Sequence, residues 1–311
     1  MVIIMIEKWM EEADFSRVFT DILSIANDLI GDQTFYISFI DNERMKLLKT
    51  LVKSDIFVEN GRIVQMQDTY CQMAYTSSRP VLVSNAKEHQ QTKNLELTHS
   101  LNIGSYVGVP ITLNDGSVFG TLCSINTSLN EYDDKTLQTL IKLSSFLSYA
   151  IDMERLLIHD VLTGLFNRTY WKRIMTSEWM NEGTHAFLMM DMDKFKQVND
   201  EFGHEKGDFI LMKASSLIDE TIPEGAYGFR FSGDEFGVLF LNRSAEEALP
   251  YAEQIIRRSA DYADPDVNGI SLSAGLVDTT ITKADRLMKE ADRLLYKSKR
   301  SGGSCVSIQQ K

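Results

Sequence analysis

The sequence predicts a two-part α+β and α/β protein. An antiparallel sheet with flanking helices comes first, then one long connecting helix, then an α/β sandwich. Three observations carry this reading. The chain has 311 residues, room for about two domains. Up to residue 132 a helix is followed by short strands and short helices, whereas after residue 158 helices and strands alternate. Between them, residues 133–158 hold one unbroken helical pattern. The expected divisions are therefore 1–132, 133–158 and 159–311.

In the first part, Trp9, Phe15, Val18, Phe19, Ile22 and Leu29 recur at helical spacing and predict a helix over 7–30, stopped by Gly31-Asp32. Strands follow at Thr34–Ile40, Leu47–Val52 and Arg62–Met66, the first closed by a turn at Asp41-Asn42. A short helix at Thr69–Thr76 and a strand at Pro80–Val83 come next. The polar stretch Lys87–Ser100, with His89 and His99, reads as an exposed loop and helix. Ser105–Leu113 and Ser117–Ile125 form a hairpin around Asn114-Asp115-Gly116. Cys71 and Cys123 lie in apolar runs and read as small core residues. Tyr70, Tyr75 and Tyr106 fit either core or the wall of a pocket.

Along Asp133–Ile158, Leu140, Leu143, Leu147, Ala150 and Leu157 fall on alternating steps of three and four, broken by Glu154. The pattern fits a dimer seam or an amphipathic face packed on its own sheet. A dimer seam is the expectation, because the chemistry below needs two chains. Beyond it come helices at Arg168–Glu182, Asp208–Ile218, Ser244–Tyr262 and Lys283–Arg300. Strands are expected at His185–Met190, Gly269–Ala274 and Cys305–Ile308, with a hairpin over 226–241.

Composition narrows the function. Forty-four acids against 32 bases give a net charge of −12, which disfavours a broad electrostatic grip on nucleic acid or anionic membrane. No run of 18 apolar residues occurs, and Met1–Ile6 is too short to span a bilayer. That opening run also lacks the basic start and small-residue cleavage site of a secretion signal. Cys71, Cys123 and Cys305 are odd in number and widely spaced, so they form no disulfide framework or metal knuckle. Free thiols in a reducing compartment, and hence a cytoplasmic protein, are the expectation.

The chemistry-bearing stretch is Arg230-Phe231-Ser232-Gly233-Asp234-Glu235-Phe236, a tight turn between two apolar strands. Upstream, the buried run Ala186–Met190 ends in Asp191-Met192-Asp193-Lys194-Phe195-Lys196. A strand that ends in acids delivers carboxylates to one edge of a sheet. Asp191 and Asp234, on two strand ends, are suited to hard cations. Magnesium takes only one or two carboxylates and leaves the rest of its shell to water and substrate phosphates, so the pair points to a nucleoside triphosphate.

These segments resemble the GGDEF family of diguanylate cyclases. Asp160 to Arg168, Asp191 to Asp208, the hairpin itself, Ser271 to Gly275, and Ala291-Asp292 with Tyr296 and Lys299 match its motifs in order, over residues 155–311. The resemblance implies a nucleotidyl-cyclase palm that joins two GTP molecules into cyclic di-GMP and two pyrophosphates. It implies a homodimer and two Mg²⁺ or Mn²⁺ per site, held by Asp191, Asp234 and the main-chain carbonyl of Met192. Asp234 would also help remove the attacking hydroxyl's proton, with Glu235 in support and Lys196 neutralising phosphate charge. Lys194 and Phe195 would offer main-chain amides to the triphosphate, Lys299 would bind phosphate, and Asn199 and Asp208 would read guanine. A carboxylate accepts from guanine N1 and N2, a donor pair adenine lacks. The first part resembles the GAF family of sensory domains through Gly108-Val109-Pro110-Ile111 and Phe119-Gly120-Thr121-Leu122-Cys123. That family implies a small-molecule pocket, or dimerisation without a ligand.

Three departures matter. Ser232 stands where the signature has its first Gly. Gly303 stands where the family often has a phosphate-binding Arg, with Lys297 and Arg300 nearby. The stretch Pro223-Glu224-Gly225-Ala226 lacks the Arg-x-x-Asp of the family's product-inhibition site. The first two leave an alternative open, a catalytically weak domain that binds GTP and signals through protein contacts.

Overall fold

The computed structural model describes residues 13–309 apart from 42 and 268. Trp9 and the first part of the helix expected over 7–30, and Asn42 of the expected turn, lie outside the described residues. The chain divides into two compact units after Glu154.

The first unit is built on a six-stranded antiparallel sheet in the order β3-β2-β1-β6-β5-β4. Its strands are β1 (Thr34–Ile40), β2 (Arg44–Val52), β3 (Ile63–Gln65), β4 (Val81–Val83), β5 (Ser105–Thr112) and β6 (Val118–Asn126). β1 and β6 are central, and both are buried on both faces along most of their length, which is why they read as continuous rather than alternating apolar runs. The helices are α1 (Ala13–Ile30), α2 (Cys71–Ser77), α3 (Glu96–Ser100) and the long α4 (Asp134–Ile158).

The face of α4 carrying Leu140, Leu143, Leu147 and Ile151 is buried within its own unit. Two hydroxyls on that face bond the sheet, Ser144 to the Pro110 carbonyl at 2.7 Å and Ser148 to the Thr112 carbonyl at 2.6 Å. The seam expected along Leu140, Leu143 and Leu147 is therefore core, and those residues are not free for a second chain. A different stripe is exposed, made by Phe146, Tyr149, Met153 and Leu156 at the same three-and-four spacing.

The second unit holds a five-stranded sheet in the order β11-β10-β7-β9-β8. Its strands are β7 (Ala186–Met192), β8 (Ala226–Ser232), β9 (Glu235–Phe240), β10 (Leu272–Asp278) and β11 (Val306–Ile308). All pairings are antiparallel except β10 with β11. The helices are α5 (Arg168–Thr176), α6 (Phe195–Phe202), α7 (His204–Thr221), α8 (Ala245–Ala260) and α9 (Leu287–Arg300). α7 sends Ile210, Leu211, Ala214 and Ile218 into the core, a helical stripe whose fully buried Leu and Ile side chains are each worth about 1.5–3 kcal/mol. α9 lies directly on β10, because a Cβ at Gly275 would sit 2.1 Å from the Ala291 carbonyl oxygen.

Several expected boundaries move, each for a local reason. β7 runs two residues past the expected Met190, since pairing continues through Asp191 with Glu235 and Met192 with Leu272. The helix expected from Asp208 starts at His204, and a separate helix α6 precedes it. Gly203, at φ +84°, breaks the two apart. The helix expected over Arg168–Glu182 ends at Thr176 and resumes as a 3₁₀ turn at Glu178–Asn181. The strand expected at Gly269–Ala274 is β10, from Leu272 to Asp278.

Candidate active site

The ends of β7 and of the β8–β9 hairpin meet at one edge of the second sheet. Asp191 lies opposite Glu235 in the β7–β9 ladder. The Met192 amide donates to the Asp234 carbonyl at 3.2 Å, tying the strand end to the hairpin turn. The two expected metal carboxylates thus belong to neighbouring chain ends, with Glu235 next to Asp234 in sequence and opposite Asp191 in register. All three acids are partly buried. The Asp191 carboxyl is pushed up from its ordinary range by burial, and further by the charges of Asp234 and Glu235. A hydrogen bond from the Lys299 ammonium opposes this. Lys299 comes from α9, 108 residues away in sequence. Repulsion among acids answered by a cation is what a site for positive charge requires.

Ser232 is exposed at the end of β8, and its hydroxyl donates to Glu235 Oε2 at 2.6 Å. Among the described residues, the left-handed non-glycine positions are Ser78, Asn102, Lys194, Asn242 and Ser304. Ser232 is not one of them, so the departure from glycine there carries no backbone strain. Gly233 takes the positive φ, +44°.

Lys194 is left-handed, φ +62°, and turns the chain from β7 into α6. The amides of Lys194 and Phe195 accordingly open a helix, where N–H groups lack intrahelical acceptors. Lys196 is exposed on the first turn of α6. Asn199, on α6, packs against Gly207 of α7, where a Cβ would lie 1.9 Å from Asn199 Oδ1. Asp208 follows, exposed, in the first turns of α7. These residues come from α6 and α7, while the acids come from the sheet.

Two anchoring arrangements escaped the sequence reading. The Asp193 carboxylate accepts from Ser271 Oγ at 2.6 Å, Ser273 Oγ at 2.8 Å and the Ser304 amide at 3.2 Å. The signal was present, since Ser271 and Ser273 are two apart on an extended stretch and share one face. Gly303, at φ +78°, packs on the same carboxylate, and a Cβ there would lie 2.9 Å from Asp193 Oδ2. Of the basic residues flanking it, Arg300 stacks over Tyr296 at 6.0 Å and Lys297 is exposed. The second arrangement is Arg230, which donates to Asp160 Oδ1 at 2.9 Å and to the Gly233 carbonyl at 3.0 Å. Burial pushes the Asp160 carboxyl up, but hydrogen bonds from Thr163 and Arg230 outweigh it and hold the group below its ordinary range.

In the first unit, Cys71 and Cys123 are both fully buried and lie with their sulfurs 3.7 Å apart. Their surroundings are not purely apolar, since Tyr36, Tyr106 and Thr121 hydroxyls touch them. Among the described residues, no group of three or more His, Cys, Asp or Glu side chains forms a closed metal cage. No helix among them is long and apolar enough to cross a membrane.

Known proteins show the same division. Residues 157–305 match the family model described as "Diguanylate cyclase, GGDEF domain", and residues 12–152 match the GAF domain model. The chain is 30% identical over 206 residues to diguanylate cyclase DgcS of Shewanella oneidensis, covering 65% of this chain and 68% of that protein. It is 29% identical to diguanylate cyclase DgcP of Escherichia coli, covering 65% of this chain and 66% of that one. It is 36% identical over 158 residues to E. coli diguanylate cyclase DosC, covering 48% of this chain and 34% of DosC. The chain therefore spans about two thirds of the first two relatives and a third of the last. In fold, 56% of it superposes on 96% of a Caulobacter crescentus DgcB structure at a TM-score of 0.50 and 23% identity. That structure comprises a coiled coil and GGDEF domain in complex with c-di-GMP.

Proposed function

The chain belongs to the GGDEF family of diguanylate cyclases, and from that membership we propose that it condenses two GTP molecules into cyclic di-GMP and two pyrophosphates, under control of its GAF half. The observation that carries the reading is the acid cluster at the sheet edge, with Asp191 in register with Glu235 and crowded by Asp234. Its donors are oxygens only, which fits Mg²⁺ or Mn²⁺. Asp191, Asp234 and the main-chain carbonyl of Met192 would hold two such ions, which when bound supply charge stabilisation at the phosphates.

The remaining roles follow from the chain's own groups. The barrier to phosphoryl transfer is mostly positional and electrostatic. The opening amides of α6, at Lys194 and Phe195, bind triphosphate oxygens. Lys196 and Lys299 neutralise charge there, and the Lys299 ammonium now on Asp191 is free to shift to phosphate when substrate enters. Asn199 and Asp208 select guanine, with Gly207 making room for Asn199. Asp234 accepts the 3′-hydroxyl proton, and Glu235, held by Ser232, supports it.

Each domain holds one GTP, so turnover requires a homodimer. The exposed stripe of Phe146, Tyr149, Met153 and Leu156 on α4 supports one. In a second reading the domain binds GTP but turns over weakly. Gly303 favours it, while Ser232 gives it no support, because its backbone does not need glycine.

The test is incubation of the full chain with GTP and Mg²⁺ or Mn²⁺, following pyrophosphate and identifying the nucleotide product, beside Asp234→Ala. Cyclic di-GMP from the wild type alone supports the first reading. Tight GTP binding without product favours the second, and absence of both overturns both.

A further inference from the structure

The polar island inside the first unit has no part in this chemistry. Cys71 opens α2 and Cys123 sits in the middle of β6, 52 residues apart in sequence, yet their sulfurs are 3.7 Å from each other. Both are fully buried. Buried thiols in apolar surroundings are inert, because burial keeps them protonated. Here hydroxyls line the pair. Tyr36 Oη is 3.5 Å from Cys71 Sγ, Tyr106 Oη 3.4 Å from Cys123 Sγ, and the Cys123 thiol donates to Thr121 Oγ1 at 3.1 Å. Thr121 in turn shares a 2.8 Å hydrogen bond with Ser38.

Tyr36 also faces a cavity of about 40 Å³, walled by Met45, Leu47, Tyr70, Leu101 and Ile125. That volume has room for a molecule the size of water. A small neutral solute in this cavity stands one tyrosine away from the thiols.

We propose that Cys71 and Cys123 are a redox modification site, at which a peroxide converts the pair to an intramolecular disulfide that ties α2 to β6. Cys71 sulfur attacks one peroxide oxygen, forming an S–O bond and breaking O–O, and the departing hydroxide leaves as water with the Cys71 proton. Cys123 sulfur then attacks the Cys71 sulfenic acid, forming S–S and breaking S–O, and the second oxygen leaves as water with the Cys123 proton. Two thiols and one hydrogen peroxide give one disulfide and two waters, and the two sulfurs supply both electrons. The asymmetry of the pair supports this order. Its contact with Cys123 holds the Cys71 thiol down to about 7, against the opposing effect of burial, while burial pushes the Cys123 thiol up. The same disulfide and the same two waters result if Cys123 attacks first and Cys71 resolves.

The full chain, reduced and then exposed to hydrogen peroxide, is quenched in acid, unfolded, alkylated with N-ethylmaleimide and weighed intact. The reduced protein takes up three maleimides, one per cysteine. After peroxide the expected uptake falls to one, at Cys305, with the protein itself lighter by two hydrogens (~2 Da). Digestion yields a linked Cys71–Cys123 peptide, and dithiothreitol restores all three sites. Cys71→Ser and Cys123→Ser each abolish the linked peptide, but the wild-type result stands without them if either variant fails to fold. Three maleimides retained after peroxide would overturn the proposal. So would oxidation confined to Cys305, or Cys71 accumulating as sulfinic acid without a link to Cys123.

Discussion

Ser232 donates a hydrogen bond to Glu235 across the hairpin turn, Oγ to Oε2, at 2.6 Å. The residue that departs from the family signature therefore orients one of its acids. Ser232 has no positive φ, so glycine would relieve no strain there. Ser232→Gly should leave turnover within about threefold of wild type, read as kcat for pyrophosphate release. A gain well above tenfold would mean that serine impairs the turn.

Gly303 cannot simply be returned to arginine. It has φ +78°, and a side chain there meets Asp193. A left-handed non-glycine residue costs about 1–2 kcal/mol before any clash is counted. Gly303→Arg should lower the melting temperature of the second unit and should not raise turnover. A stable and faster variant would show that the loop after α9 can rearrange.

His159 makes stability depend on pH. Its ring stacks on Phe166 at 4.4 Å, and Nδ1 lies 2.8 Å from the Gly164 carbonyl. Burial pushes its pKa below the ordinary 6.5, against the Gly164 contact, and the charge of Arg155 adds to the lowering. The folded state therefore binds a proton less readily than the unfolded chain. The contribution is present above about 6.5 and is lost as pH falls towards the folded pKa. Urea midpoints between pH 7.5 and 5.5 should fall for wild type and fall less for His159→Phe. Equal slopes would remove His159 from the account.

The two faces of α4 predict opposite failures. Phe146→Glu with Met153→Glu charges the exposed stripe and should give a folded monomer without turnover, read by analytical ultracentrifugation beside the activity assay. Leu147→Glu puts a charge into the core and should unfold the first unit instead. A double variant that remains dimeric would move the dimer contact elsewhere.

Much of the second unit was legible because its signals are local. The acids follow an apolar strand directly, and the hairpin carries its own turn residues. The contacts that organise the site are not local, as Lys299 reaches Asp191 over 108 residues. Of the expected α4 seam, Leu140, Leu143 and Leu147 are covered by the sheet while Leu157 is exposed, because both faces of that helix repeat at the same spacing and only the sheet beneath decides which is covered. The cysteine pair was invisible for a similar reason. Each residue alone looks like a small apolar filler, and only the packing of α2 on β6 brings the two together. α6 was missed because it is only eight residues long, although Phe195, Val198 and Phe202 recur at helical spacing.

Phe166 has a further consequence. Its amide donates to the Gly228 carbonyl at 3.0 Å and its carbonyl accepts from the Arg230 amide at 2.8 Å, so the segment after α4 lies along β8, an outer strand of the second sheet. An uncovered outer strand is a template on which other chains can pair. The short segment that leads out of the helix bridges this strand at Phe229 and should thereby limit self-association of the second unit. A fragment beginning beyond Phe166 would expose that strand and should aggregate, while one beginning at Arg155 should stay dispersed.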